Sequence, residues 1–109
     1  MKLEFDGKII TSVTPEKIRE IFWDDFKRGR KVVLRNKKHK FIRISGLMPP
    51  YLVECREGSL NKHYEGAHAI TKEEAEDAFL KYLKEDPSWK NMFTWKKISY
   101  KPWWKFWSD

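Results

Sequence analysis

Two stretches of the chain place apolar residues at helical spacing, and each begins with a capping signal. In the first, Thr14-Pro15-Glu16 supplies a capping hydroxyl, a proline suited to the first helical turn and an acidic residue at the positive end of the helix dipole. The apolar stripe that follows consists of Ile18, Ile21, Phe22 and Phe26, with Trp23 at its edge. A helix is therefore predicted from Pro15 onward, and Gly29 is expected to end it.

The second stretch opens with Thr71-Lys72-Glu73-Glu74, the spacing of a capping box. In such a box the threonine side chain and the last glutamate side chain each accept a hydrogen bond from the other residue's main-chain amide. One apolar stripe follows, formed by Ala75, Ala78, Phe79, Tyr82 and Leu83. A second helix is predicted here, and Asp86-Pro87 is expected to end it. Its small alanines would let it lie close to a sheet.

Short runs rich in β-branched and aromatic residues surround these helices. Runs 31–36 and 40–46 flank a polar turn, and 51–57 is joined to 62–66 through Gly58-Ser59, so both pairs are predicted hairpins. A tight hairpin around Asp6-Gly7 and a last strand over 93–101 are also indicated. The predicted fold is α+β: an antiparallel sheet of about five strands with two helices packed on one face.

Length and composition indicate one domain over residues 1–109. The chain has 40% hydrophobic residues, no repeat and no Pro/Gly/Ser-rich linker. No apolar run approaches the roughly 20 residues of a membrane span, and the first ten residues lack the apolar stretch of a signal peptide. One cysteine cannot form an internal disulfide. We therefore expect a cytoplasmic protein without a membrane span.

The C-terminal sequence KPWWKFWSD is unusually aromatic. Burying one tryptophan removes roughly 200 Å² from water, so an exposed tail would forgo much stabilisation. The tail 102–109 is therefore predicted to fold back on the domain. The alternatives are a homodimer or partner contact, stacking on a nucleic acid, or contact with a membrane surface.

The formal net charge of +7 arises in the first half of the chain. Residues 1–50 carry 13 basic and 6 acidic side chains, whereas residues 51–109 carry 10 of each. Segment 27–43 holds nine Lys/Arg and no acidic residue. This asymmetry predicts a non-enzymatic binding protein whose basic hairpin contacts an acidic protein surface or a nucleic acid. The alternative is a solvated face that only aids solubility. The predicted partner-binding residues are Arg28, Arg30, Lys31, Arg35, Lys37, Lys38, Lys40 and Arg43, together with Trp103, Trp104 and Trp107 of the tail.

The second hairpin carries the most polar cluster. Strand alternation places Tyr51, Val53, Cys55 and Tyr64 on one face, and Glu54, Arg56, His63 and Glu65 on the other. A carboxylate beside a histidine is the minimum for acid–base catalysis, so an enzyme using Glu54 and His63 is an alternative function. An ordinary exposed strand face has the same composition, and His63 is predicted to be exposed on it.

Other chemistry is not indicated by the sequence. Cys55, His63 and His68 lack the paired ligands of a zinc site, and no nucleophile with a base or phosphate-binding glycine loop is present. No metal and no cofactor are therefore predicted.

Residues 53–98 resemble the C-terminal half of the Imm1-type immunity proteins of bacterial toxin systems. The matching positions are Glu74-Ala75, Ala78-Phe79, Tyr82-Leu83 and Trp95. The resemblance implies a small bacterial protein that binds rather than catalyses, and it gives a further alternative: a protein that blocks a cognate toxin. The basic composition departs from the acidic character common among inhibitors of basic nucleases.

Overall fold

The computed structural model describes residues 1–5, 7–25, 30–46 and 51–98. Its strands are β1 (Lys2–Phe5), β2 (Lys8–Ile10), β3 (Arg30–Lys37), β4 (Lys40–Gly46), β5 (Leu52–Glu57), β6 (His63–Gly66) and β7 (Trp95–Ile98). These strands form one sheet in the order β2-β1-β3-β4-β5-β6-β7, and every neighbouring pair is antiparallel. The predicted α+β class is confirmed.

The predicted number of about five strands was wrong, because the described residues contain seven. The N-terminal hairpin accounts for much of the difference. Its strands have only four and three residues, but β1 also pairs with β3, where Leu3 lies opposite Leu34. Gly7 has a φ of 77°, a backbone conformation that suits a tight turn. Long-range pairing therefore stabilises a hairpin whose local sequence signal is short.

Both predicted helices are present: α1 (Pro15–Glu20) and α2 (Lys72–Leu83). The Thr14 hydroxyl accepts the Lys17 amide at 3.2 Å, and the capping box of α2 is formed. The expected end of the first helix at Gly29 is only partly tested. The α-helical part stops at Glu20, a π-helical turn covers Ile21–Asp25, and Phe26 to Gly29 lie outside the described residues.

The hydrophobic core lies between one face of the sheet and the two helices. Leu34 and Ile42 of the central strands are fully buried there, as are Ala75 and Ala78 of α2. Phe22 and Phe79 meet edge to face, with ring centroids 5.1 Å apart. The two alanines let α2 lie close to β3 and β4, as the sequence predicts.

A 3₁₀ helix (Pro87–Met92) follows α2. Its N-terminus is capped by Asp86, whose carboxylate accepts the Ser88 amide at 3.0 Å. The buried Trp89 packs between Tyr82 and Trp95, at ring distances of 5.2 and 5.9 Å. This aromatic group joins α2 to the far edge strand β7.

The last predicted strand, 93–101, is described as β7 over Trp95–Ile98. Residues 99–109 lie outside the described part of the chain, so the predicted folding back of the tail 102–109 stays a prediction.

The open face is the face of the sheet opposite the helices. The hairpin end is the end of the sheet where β3 turns into β4; Lys2 of β1 lies opposite Arg35 there, and Glu57 of β5 lies opposite Lys40.

Candidate functional site

The predicted basic hairpin is formed by β3 and β4, and its charges fall into two groups. Lys31, Lys37, Lys38 and Lys40 are exposed. Arg35 and Arg43 instead form ion pairs on the open face. The structure does not describe Arg28, the side chain of Arg30, or Trp103, Trp104 and Trp107. The predicted roles of these residues stay predictions.

Arg35 is held in place on three sides. Its Nε donates to Glu4 Oε2 at 2.6 Å, and its Nη1 donates to the Lys38 carbonyl, also at 2.6 Å. Its guanidinium lies 4.8 Å from the centroid of the Phe41 ring. A guanidinium bound in this way braces the β3–β4 turn. Because Glu4 already balances the charge of Arg35, this arginine is less suited to binding a partner.

The polar residues of the second hairpin form a network on the open face. The predicted strand parity is confirmed, because Arg56 lies opposite His63 and Glu54 opposite Glu65. Arg43 Nη2 donates to Glu54 Oε2, and the same oxygen lies 2.9 Å from His63 Nε2. Arg56 Nε donates to His63 Nδ1 at 3.2 Å. Because Nδ1 accepts, the proton of the neutral ring is on Nε2 and is donated to Glu54.

The expectation that His63 would be exposed was wrong. Its exposed fraction is 5%, although it does lie on the predicted polar face. Phe41 occupies the same face on β4, and the two rings have centroids 6.2 Å apart. The guanidinium of Arg56 stacks over Phe41 at 5.1 Å. Phe41 and the arginines therefore cover the imidazole and make a small second core.

The contacts of Glu54 and His63 form a network within the protein. Both nitrogens of His63 have a partner there, and Glu54 also binds Arg43. These contacts explain the two residues as a structural network, and an enzyme that uses Glu54 and His63 stays a prediction.

Glu54→Gln is expected to lower the free energy of unfolding by about 1–3 kcal/mol near neutral pH, because it removes the charge paired with Arg43. Partial burial acts to raise the pKa of Glu54, but the hydrogen bond from His63 and the charge and hydrogen bond of Arg43 bring that pKa below its usual 4.5. Such a group stabilises the fold above its unfolded pKa, and the contribution is lost as the pH falls through the folded pKa. Urea unfolding should therefore show the wild-type advantage shrinking below about pH 4.5. An advantage that persisted unchanged in acid would contradict the ion pair.

A groove with a volume of about 580 Å³ lies at the hairpin end, and we call it the lysine groove. Its lining residues are Met1, Lys2, Glu4, Thr11, Arg35, Asn36, Lys37 and Lys38. Glu4 and Arg35 neutralise each other. Lys2, Lys37 and Lys38 form no ion pair with another described residue, and all three are exposed. The groove therefore presents three uncompensated ammonium groups.

A smaller polar cleft of about 130 Å³ adjoins the groove, with which it shares Met1 and Asn36. Tyr82 lines this cleft; its side chain is buried, and its hydroxyl has no hydrogen-bond partner among the described residues. Burial raises the pKa of Tyr82, and the charge of Glu57 adds to the rise. The hydroxyl is therefore a neutral donor for which residues 1–5, 7–25, 30–46 and 51–98 supply no acceptor.

An aromatic cavity of about 220 Å³ shares Glu57 and Lys90 with this cleft. Cys55, Tyr64 and Trp95 complete the lining. Lys90 Nζ donates to Glu57 Oε2 at 3.0 Å at this boundary. Burial, aided by the charge of Glu57 and opposed by Lys90, raises the pKa of the Cys55 thiol to about 12. The cleft thus has lining residues in common with both the groove and the cavity, which share none with each other.

A separate surface feature is Trp23, on the helical side of the molecule. Half of it is exposed, its Nε1 donates to Glu76 Oε2 at 2.8 Å, and Lys72 Nζ lies 5.0 Å from its ring centroid. Exposed tryptophans are common in protein interfaces. The surface around Trp23 is therefore the main alternative to the hairpin end as a binding site.

Sequence reasoning missed Lys2, Asn36 and the cavity residues. Lys2 reaches the groove only because β1 pairs with β3, more than thirty positions along the chain. Tyr64 and Trp95 come together because β6 pairs with β7. No local motif marks either pairing.

The described residues contain no cluster of His, Cys, Asp or Glu able to hold a metal ion. Within the same residues, no helix combines the length and hydropathy that crossing a membrane requires. Comparison of the chain with protein-family models, with curated proteins and with solved structures finds no match.

Proposed function

We propose that the protein is a non-enzymatic binding protein whose lysine groove contacts the phosphate backbone of a nucleic acid. The main support for the proposal is the set of three lysines, Lys2, Lys37 and Lys38, that line one concave surface and form no ion pair within the described part of the chain. Phosphate contacts by lysine release counterions and provide most sequence-independent affinity for nucleic acids. Lys40, exposed at the neighbouring cleft, extends the same positive surface.

The arginines and lysines of the basic hairpin have different contacts, and this difference favours a nucleic acid over an acidic protein as the partner. Interfaces between proteins are enriched in arginine and depleted in lysine. Here Arg35 and Arg43 are bound to Glu4 and Glu54, and lysines supply the free charge. A lysine ammonium group on its flexible stem binds phosphate as a point charge and does not need the fixed geometry of an arginine fork.

The proposal predicts binding that is strong at low salt and indifferent to sequence. If Lys2, Lys37 and Lys38 each neutralise one phosphate, log Kobs should fall with log salt at a slope of about −2 to −3. Fluorescence anisotropy with short labelled oligonucleotides of several sequences, at a series of KCl concentrations, measures this slope.

Unlabelled polyglutamate is the informative competitor in that titration. If unlabelled oligonucleotide displaces the labelled probe and polyglutamate at equal charge displaces it only weakly, the result supports phosphate recognition. Equal displacement would favour an acidic protein surface, which is also the kind of partner that an immunity-type binding protein requires. Absence of any binding at low salt would contradict the proposal.

A further inference from the structure

The aromatic cavity beside the lysine groove has the features of a site for one flat ring. Its volume of about 220 Å³ is well above the ~10–15 Å³ that a cavity needs to hold one water. It is also smaller than the ~300–1,000 Å³ of pockets for drug-sized ligands. The cavity therefore suits a group of about one ring system.

The walls of the cavity are aromatic and held in place. Trp95 Nε1 donates to the Lys90 carbonyl at 2.9 Å, and the Trp95 ring contacts Trp89 and Phe93 edge to face at 5.9 and 5.6 Å. Tyr64 lines the same space from the neighbouring strand β6. A tryptophan fixed in this way needs little reorganisation to stack against a planar ligand.

The polar groups beside the cavity suit the edge of a base better than a phosphate. Glu57 accepts from Lys90 Nζ at 3.0 Å, and a carboxylate can also accept from the amino group of a base. The lysine at the cavity is therefore already paired, whereas the lysines of the groove form no ion pair with a described residue and attract phosphate. Phosphate and base would therefore go to different places on the hairpin end.

From this arrangement, and resting on the proposed function, we infer that the aromatic cavity receives an unstacked base of a single-stranded nucleic acid whose backbone lies on the lysine groove. The cleft lies between the two, because it shares Met1 and Asn36 with the groove and Glu57 and Lys90 with the cavity. A base paired within a duplex cannot enter the cavity without leaving its stack. The protein therefore prefers single strands to duplexes.

The test compares a labelled single-stranded oligonucleotide with a duplex of the same sequence, at one low salt concentration, by fluorescence anisotropy. Wild-type protein is expected to bind the single strand about 5- to 150-fold more tightly, the range that stacking of one base accounts for. Cys55→Leu, which narrows the cavity, should reduce this preference. Cys55→Ala, which leaves the cavity open, is the matched control and should keep it.

Different results would overturn the base site in the aromatic cavity and the binding of nucleic acid by the lysine groove. Equal binding of single strand and duplex by the wild type overturns the base site and leaves the lysine groove in place. A preference that persists undiminished in folded Cys55→Leu places the base elsewhere and also overturns the inference. Absence of binding to either probe overturns the proposed function and this inference with it. If Cys55→Leu does not fold, Tyr64→Leu removes one aromatic wall while keeping an apolar side chain, and the same reduction of the preference is expected.

Discussion

Reversing the charges of Lys37 and Lys38 together is expected to weaken nucleic-acid binding by at least about 25-fold at ~0.1 M salt. Each phosphate contact with a single strand contributes about 0.7 to the slope of log Kobs against log salt, so two lost contacts remove about 1.4 logarithmic units at this concentration. Repulsion between the new carboxylates and phosphate adds to the loss. The slope itself should flatten by about 1.4, equally for all sequences.

The matched control for this variant is Lys8→Glu with Lys72→Glu. Both double variants reduce the net charge of +7 by the same amount, but Lys8 and Lys72 lie at the end of the sheet away from the groove. The control should lose little affinity beyond a general charge effect. If both double variants lost affinity equally, the net charge rather than the groove would be responsible for binding.

Phe79→Ala is expected to lower the free energy of unfolding by about 3–5 kcal/mol, the range for removing a buried phenylalanine. Phe79 is fully buried and meets Phe22 edge to face, so the change leaves a cavity between both helices and the sheet. A domain of this kind has about 5–15 kcal/mol of net stability. The melting temperature should therefore drop by about 12 °C or more, at ~4 °C for each kcal/mol.

Leu60→Ala is the control for this prediction, because Leu60 lies in a turn and is nearly half exposed. Its effect should stay within about 0.5 kcal/mol. Thermal and urea unfolding followed by circular dichroism measure both variants. A Phe79→Ala protein as stable as the control would show that α2 does not pack against the sheet as described.

Local signals in the sequence predicted the helices well and the sheet incompletely. Both N-caps lie where the residues indicate, because a cap depends on three or four consecutive positions. The extra strands depend on pairing between distant segments, as between Leu3 and Leu34. The π-helical turn after Glu20 also has no simple sequence signal.

The candidate site was predicted in composition but not in detail. Segment 27–43 is basic by inspection, yet the sequence does not show that Arg35 and Arg43 are matched by Glu4 and Glu54. Those pairs require the register of the sheet. His63 illustrates the same limit, because strand alternation gave its face correctly but could not show that Phe41 covers it.

The positions that resemble Imm1-type immunity proteins have structural roles here. Glu74 completes the capping box, and Ala75, Ala78 and Phe79 are fully buried. Packing and capping are enough to explain these residue types in an α+β protein. The resemblance and the toxin-blocking function that it implies stay predictions.

The most direct test of the binding surface is an amide ¹H–¹⁵N NMR titration of the full chain with a short single-stranded oligonucleotide. The largest shift changes are expected at Lys2, at residues 36–38, and at Tyr64 and Trp95 around the aromatic cavity. Residues around Trp23, on the helical side, should change little. Changes concentrated around Trp23, or an unchanged spectrum at low salt, would contradict the assignment of nucleic-acid binding to the hairpin end.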